Sequence, residues 1–418
     1  MIVNWREKLH NSENYVKIFL KFGILGIVLG CMGGIVGAVF HHALHFVTHV
    51  RAENPWLIFL LPLAGLATVA VYHLPQLKKN RGTNEIIDAV LEGKHVSPLV
   101  APAIFLSTAI THLFGGSAGR EGAALQIGGS MASVLSKGLK LQGHEHRVII
   151  MAGMSAVFAG LFGTPLTAML FCMEFETVGT LFSPALLPCF LAAYTATRIS
   201  GLLGVHAETY LLETAVQLDL AALGRFAVLA VLIALLGIAM CWLFHNAEHF
   251  AKHHLPNPWI RIALGGAVVM GMTLLAGDHR FNGAGMDMAL AAVAGQTDWY
   301  SFLVKMLFTA MTLAAGFKGG EIVPTFCIGA TFGCLLGGFL GLEAGTAAAV
   351  GLVGLFCCVT NSPLASIVLS LEMFGGANLY LFSFVCVICF VLSGNSGLYA
   401  SQIFLFNKSA VESGRRIR

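Results

Sequence analysis

Across 418 residues, 57% hydrophobic side chains, only 11% charged ones and a mean hydropathy of +0.80 exclude an ordinary soluble domain, in which roughly 25% of residues are charged. A net charge of only +3 points to neither a nucleic acid nor an acidic partner. The composition is that of an integral membrane protein whose partner is the lipid bilayer.

The opening MIVNWREKLHNSENYVK is too long and too mixed in charge for a secretory n-region, and no small-residue cleavage site closes the first apolar run, 18–40. That run is therefore a retained helix. Further apolar stretches follow at 57–75, 98–115, 147–172, 180–203, 222–244, 259–276, 301–315, 322–342, 346–371 and 379–406, where a simple span needs about 20 residues. Several are short or interrupted by glycine, and the 48 glycines suit both close helix packing and helices that stop partway through the bilayer inside protein. Ten cysteines, among them Cys172, Cys357, Cys358 and Cys386, sit mostly in apolar segments without metal-ligand or secreted-scaffold spacing and read as packing residues. Arg6, Lys8, Lys17 and Lys21 open the chain, LKKNR fills 77–81 and GRRIR closes it. The positive-inside rule then puts both termini in the cytoplasm and predicts an even number of crossings.

The chain reads as two copies of one unit. FHHALHFVTHVRAENPW, beginning at Phe40, returns as FHNAEHFAKHHLPNPW, beginning at Phe244, a separation of 204. VLEG ending at Gly93 finds AVAG ending at Gly295, GREGAALQIGG finds GGEIVPTFCIGA with Glu121 against Glu321, and FGTPLTAMLFCMEF finds TNSPLASIVLSLEMF with Pro165 against Pro363, by which point the separation has drifted to 198. With Trp56 against Trp259 counted inside the first pair, at a separation of 203, five matches in one order with a slowly changing offset are what two diverged copies leave. Internal repeats of this kind mark secondary transporters, which hold their substrate where the repeats meet, on the ends of interrupted helices. The expected organisation is an N-terminal cytoplasmic segment 1–17, a first membrane repeat 18–215, a second 216–406 and a cytoplasmic tail 407–418 too short for a soluble regulatory domain. Whether the copies are parallel or inverted stays open from sequence alone.

The glycine-rich segment 115–129 carries Arg120 and Glu121 ahead of a predicted helix, and AAGFKGGEIVPTFCIGATFG repeats the grammar with a helix entered near Pro324. Backbone N–H groups at such starts, helped by the helix dipole, favour an anion. Two of them facing each other would hold one without a fixed cation, weakly enough to let it leave. Glu121 is itself a competing anion: charged it would occupy the site, protonated it would vacate it. A local Arg120–Glu121 pair at a helix end is the plainer alternative.

At these residues a resemblance becomes specific. GREGAALQIGG resembles the GREGP-type motif of the CLC anion channels and transporters, GGEIVP their GGxFxP motif, and TPLTAMLFCMEF and SPLASIVLSLEM the helices after each motif, over Phe40 to Phe406. The resemblance implies an all-α inverted two-repeat membrane fold of about eighteen helices, many not fully spanning, in a homodimer with a pore in each subunit; the short tail leaves no room for CBS domains, and no cofactor or enzymatic activity is expected. It implies movement of chloride or fluoride across the cell membrane, exchanged for protons or, alternatively, passive. Carried over by position, Glu121 is the gating and proton-transferring glutamate. The remaining anion-binding residues are Gly82, Thr83 and Asn84 in RGTNE, Gly119, Arg120 and Gly122 around the glutamate, the backbone of Glu321, Ile322 and Val323, and Tyr399 in SGNSGLYASQ, with Tyr380 as the competing tyrosine. Four departures keep the ion open: RGTNE lacks the serine and proline of GSGxP, Ala123 replaces the proline after GREG, Phe175 stands where many chloride–proton exchangers have a second glutamate although Glu174 and Glu176 flank it, and Glu321 makes a GGE beginning like that of the fluoride-exporting branch, yet with Val323 in place of a threonine.

Two other constellations are weighed. His41, His45 and His49, echoed by His245, His249 and His253, share a helix face and are read as interfacial polar faces rather than a metal site. Ser155 in GMSAVF offers the glycine–x–serine of an intramembrane serine protease, but its repeat partner VGLFCCV has no serine.

Overall fold

The computed structural model describes residues 5–77, 80–207, 209–210, 212, 215–217, 219–406 and 408, with only the backbone for 5–15. The basic residues 78–79 and 414–418, most of the tail 407–418 and part of the segment joining the two repeats lie outside the described residues. Among those described are sixteen α-helices and two 3₁₀ helices. The first half runs α1 (Trp5–Glu53), α2 (Leu61–Tyr72), α3 (Thr83–Glu92), α4 (Val100–Leu113), α5 (Glu121–Gly138), α6 (Gly143–Phe162), α7 (Pro165–Glu174) and α8 (Leu186–Leu202). Its counterparts are α9 (Leu220–His254), α10 (Pro258–Ala276), α11 (Met286–Val293), α12 (Ser301–Ala315), α13 (Ile322–Phe339), α14 (Ala344–Thr360), α15 (Pro363–Phe374) and α16 (Leu379–Leu392). Seven described helices are long and apolar enough to cross a membrane, and six apolar ones of 10–17 residues are shorter.

The apolar stretches 147–172 and 346–371 each prove to be two helices. Pro165 and Pro363 stand at the first position of α7 and α15, where the missing N–H costs nothing and the preceding residue is held out of helical geometry. The last stretch, 379–406, also stops early: α16 ends at Leu392 and the chain continues irregularly to a short strand β2 (Ile403–Phe404), parallel to β1 (Thr177–Val178).

Around the middle of the molecule lie α6 and α14, buried from Val148 to Phe162 and from Gly345 to Thr360. Helices apolar all round belong there. Glycine permits their closest crossings. A Cβ on Gly128 of α5 would stand 2.2 Å from the Gly153 carbonyl oxygen of α6, and one on Gly329 of α13 would stand 2.3 Å from that of Gly351 of α14. The same backbone-to-backbone contact is made once in each half.

The relation between the halves is visible at α7 and α15. Glu174, the last residue of α7, accepts hydrogen bonds from the N–H groups of Leu364 and Ala365 at the start of α15 (3.2 and 3.0 Å). Glu372, near the end of α15, accepts from Leu166 and Thr167 at the start of α7 (2.9 and 2.8 Å) and from the Thr167 hydroxyl. Each helix thus caps the other, so the two run antiparallel, and a twofold relating them is perpendicular to their axes. The repeats are inverted.

Candidate functional site

Three helix starts converge at the centre. Gly119 and Gly320 form an antiparallel bridge, each N–H donating to the other's carbonyl (2.7 and 2.8 Å), which brings the starts of α5 and α13 side by side. Gly122 lies against both this bridge and α3: a Cβ there would be 3.0 Å from Thr83 Oγ1 and 3.3 Å from Gly320 Cα. The chain enters α3 through Gly82 at φ 66° and ψ −138°, a conformation that only glycine adopts at low cost.

None of these three starts is capped by its own N-cap side chain. By contrast, Asp219, Asn257 and Glu343 cap α9, α10 and α14 in the ordinary way. At the starts of α5 and α13 the N–H groups are met instead by Glu121. Its Oε2 accepts from the N–H of Arg120 (3.0 Å) and, across the repeat boundary, of Val323 (3.2 Å), while Oε1 has no protein partner and the side chain is fully buried. One carboxylate oxygen thus accepts from the starts of two helices, one in each repeat.

On one side of this junction opens a cavity of about 800 Å³ whose wall includes Gly82, Thr83, Asn84, Gln126, Glu321 and Tyr399. A separate pocket of only about 20 Å³ is lined by Glu121, Phe158, Phe162, Thr164, Met286 and Phe326. Tyr399 is 4% exposed, presents its ring edge to Phe175 at a centroid distance of 5.7 Å, and has a buried hydroxyl without a protein partner. Tyr380 is 84% exposed, so of the two candidate tyrosines only Tyr399 reaches this place. Asn84 Oδ1 accepts from the Ser401 N–H (2.9 Å), tying α3 to the loop that carries Tyr399. Gly119, Arg120, Gly122, Ile322 and Val323 all lie at the junction, and Glu321 lines the wide cavity.

The alternatives weighed on the sequence resolve by contact. Arg120 turns its guanidinium toward the Phe162 ring (5.0 Å) and His41 Nδ1 (3.4 Å), while its backbone N–H donates to Glu121 Oε2. The two glutamates flanking Phe175 are both engaged, Glu174 as the cap of α15 and Glu176 in an ion pair with Arg147. Ser155 donates to the Cys189 carbonyl (3.2 Å) within packed helices. His245 meets the Leu398 carbonyl at 3.3 Å beside Tyr399, a contact invisible in the linear pattern. All ten cysteines are free thiols and nine are buried.

Several residues of the site escaped sequence reading. Gln126, inside the quoted GREGAALQIGG, donates to the Gly122 carbonyl (3.0 Å) and lines the cavity. Lys305 is fully buried and donates to Ser117 Oγ and to the Phe281 and Gly283 carbonyls (3.0, 3.0 and 2.7 Å). It thereby steadies the segment leading into Gly119. A lone lysine in an apolar helix was the available signal.

Comparison with known proteins identifies the family of this fold. The family described as voltage gated chloride channel matches residues 63–394. The chloride/fluoride channel protein of Pseudomonas syringae pv. tomato is 34% identical over 389 residues, 91% of this chain and 86% of its own length. The H(+)/Cl(-) exchange transporter ClcA of Yersinia pestis is 24% identical over 382 residues, 84% of this chain and 79% of its own. The crystal structure of a CLC-type fluoride/proton antiporter superposes with a TM-score of 0.89 at 31% identity, covering 92% of this chain and 98% of that one. That of a slow cyanobacterial Cl-/H+ antiporter, at 21% identity and a TM-score of 0.75 over 89% and 94% of the two chains, shares the fold. With its inverted repeats and paired helix starts, this chain belongs to the voltage-gated chloride channel family, the CLC proteins.

Proposed function

We propose that the protein exchanges a small inorganic anion for protons across the cell membrane, with Glu121 as the group that trades its place for the anion. The observation that carries this reading is the Glu121 carboxylate on the N–H groups of Arg120 and Val323. Deprotonated, it fills the site. Protonated, it no longer matches the positive ends of two helices as an anion does, and an anion entering from the wide cavity replaces it. Thr83, Asn84, Tyr399 and the backbone of Glu321, Ile322 and Val323 form the remaining wall of the anion path, with Gly82, Gly119, Arg120 and Gly122 shaping it.

Fluoride is the favoured ion. It holds water more tightly than chloride and needs close, strong donors in exchange. Glu321 faces the cavity beside the anion path, and in protonated form it is one more O–H donor for a small, strongly accepting ion. The solved CLC-type fluoride/proton antiporter, at 31% identity, supports the same choice, and the 34% identical relative is named for both chloride and fluoride. We further read the chain as a homodimer with a pore per subunit, divided at about residue 215 into its two repeats, with both termini in the cytoplasm. The wide cavity, which includes Arg81 and Lys252, then opens to the cytoplasm.

The test is efflux from proteoliposomes followed with fluoride and chloride electrodes together with proton flux. Wild type is expected to drive protons uphill on a fluoride gradient, Glu121→Gln to lose that coupling, and Glu321→Gln to lower the fluoride-to-chloride ratio. Proton pumping that persists in Glu121→Gln overturns the assignment of Glu121. Chloride leaving faster than fluoride in wild type, with no change of ratio in Glu321→Gln, overturns the choice of ion.

A further inference from the structure

The wide cavity carries four lysine and arginine side chains on its wall, Arg81, Lys252, Arg261 and Lys318. Three have oxygen partners: Arg81 pairs with Asp88 (2.8 Å), Lys252 with Glu248, and Arg261 donates to the Leu255 carbonyl (3.1 Å). Lys318 differs. Its Nζ stands 4.3 Å from the centroid of the Tyr72 ring, and among the described residues no carboxylate or carbonyl oxygen is within hydrogen-bonding or ion-pairing distance of it. The ring and the ammonium line the same cavity, and Lys318 directly precedes Gly319, Gly320 and Glu321.

The kind of partner matters. A carboxylate beside the ammonium would neutralise it and compete with any arriving anion, whereas a π face holds the cation in position and leaves its charge and N–H donors available. In a recessed, partly dehydrated cavity such a charge raises the local anion concentration more than one on an open surface does.

We propose that Lys318, held on Tyr72, is a staging site for the transported anion in the wide cavity, where the ion exchanges part of its water for ammonium donors before reaching the helix ends at Gly119 and Gly320. The proposal rests on the reading of the protein as an anion transporter. It adds a second, cation-based station to a central site made of backbone groups. An ammonium suits this task because its single charge attracts fluoride while its flexible stem lets the ion leave again.

The experiment measures initial fluoride efflux from proteoliposomes against internal fluoride concentration, at constant and at varied ionic strength, for wild type, Lys318→Met, Lys318→Arg and Tyr72→Leu. Removing the charge is expected to raise the half-saturating fluoride concentration about three- to tenfold with little change in the limiting rate, and to flatten the dependence on ionic strength. Lys318→Arg should restore both, and Tyr72→Leu should give an intermediate shift. A limiting rate that falls in Lys318→Met while the half-saturating concentration and salt dependence stay at wild-type values overturns the proposal, as does a curve that superposes on wild type. Uphill proton pumping is recorded on every preparation. If wild type itself moves neither fluoride nor protons, the transport reading has failed. If wild type pumps and Lys318→Met matches it at every fluoride concentration, the staging site alone has failed.

Discussion

Single residues decide how closely the helices of each repeat approach, and glycine is the means. At Gly128 an added methyl would meet a backbone oxygen at 2.2 Å, so α5 and α6 would have to separate. Gly128→Ala is expected to destabilise the fold by about 1–3 kcal/mol, the usual range for overpacking, and Gly351→Ala in the other repeat to act alike. Gly138→Ala has no atom within 4 Å and should be neutral. Thermal aggregation midpoints in detergent check the three together; equal midpoints for Gly128→Ala and Gly138→Ala would show that the crossing yields without cost. The candidate residues are legible at this scale because charge beside glycine is conspicuous in an apolar chain, as at Arg120–Glu121 and Glu321. Gln126 and Lys318 lie within the same two segments and were passed over, because a single polar side chain says nothing linear about which cavity it faces.

Elements were legible where length and apolarity agreed and hidden where they did not. α3 and α11 are only ten and eight residues long and are interrupted by Glu85, Asp88 and Asp287, too short for a window sized to a membrane span to show them, yet α3 forms one wall of the cavity. The breaks at Pro165 and Pro363 were masked by continuous apolar sequence, although both prolines were already visible as a repeated pair. The reciprocal capping of α7 and α15 had no linear signal, because each glutamate serves a helix start roughly 190 or more residues away. Its role is testable. Glu174→Gln and Glu372→Gln should each cost about 1 kcal/mol through loss of charge at a helix N-terminus. α7 is ten residues long, about 15 Å at 1.5 Å per residue, so the caps are far enough apart for the double variant to be additive within about 0.5 kcal/mol. Denaturation midpoints measure this. Proton coupling should survive in Glu174→Gln, because the carboxylate there holds a helix; its loss would place Glu174 on the proton route beside Phe175.

At the scale of the molecule, inversion gives two similar glutamates different surroundings. Glu121 is the first residue of α5 and Glu321 the N-cap of α13, nearly equivalent positions. One carboxylate reaches across to the other repeat's helix start, while the other lines the wide cavity. α3, α5, α13 and the loop carrying Tyr399 line the candidate site within one chain. If two such chains form the dimer that we propose, each is expected to work independently. A tandem dimer with one wild-type and one Glu121→Gln half should therefore keep about half the coupled proton flux of the wild-type tandem, with the remaining half showing wild-type dependence on fluoride. Flux ratios from proteoliposomes with equal protein measure this directly. Coupled flux near zero in the mixed tandem would mean that the two sites gate each other, and that a property of the pair is missing from a site that looks complete within one chain.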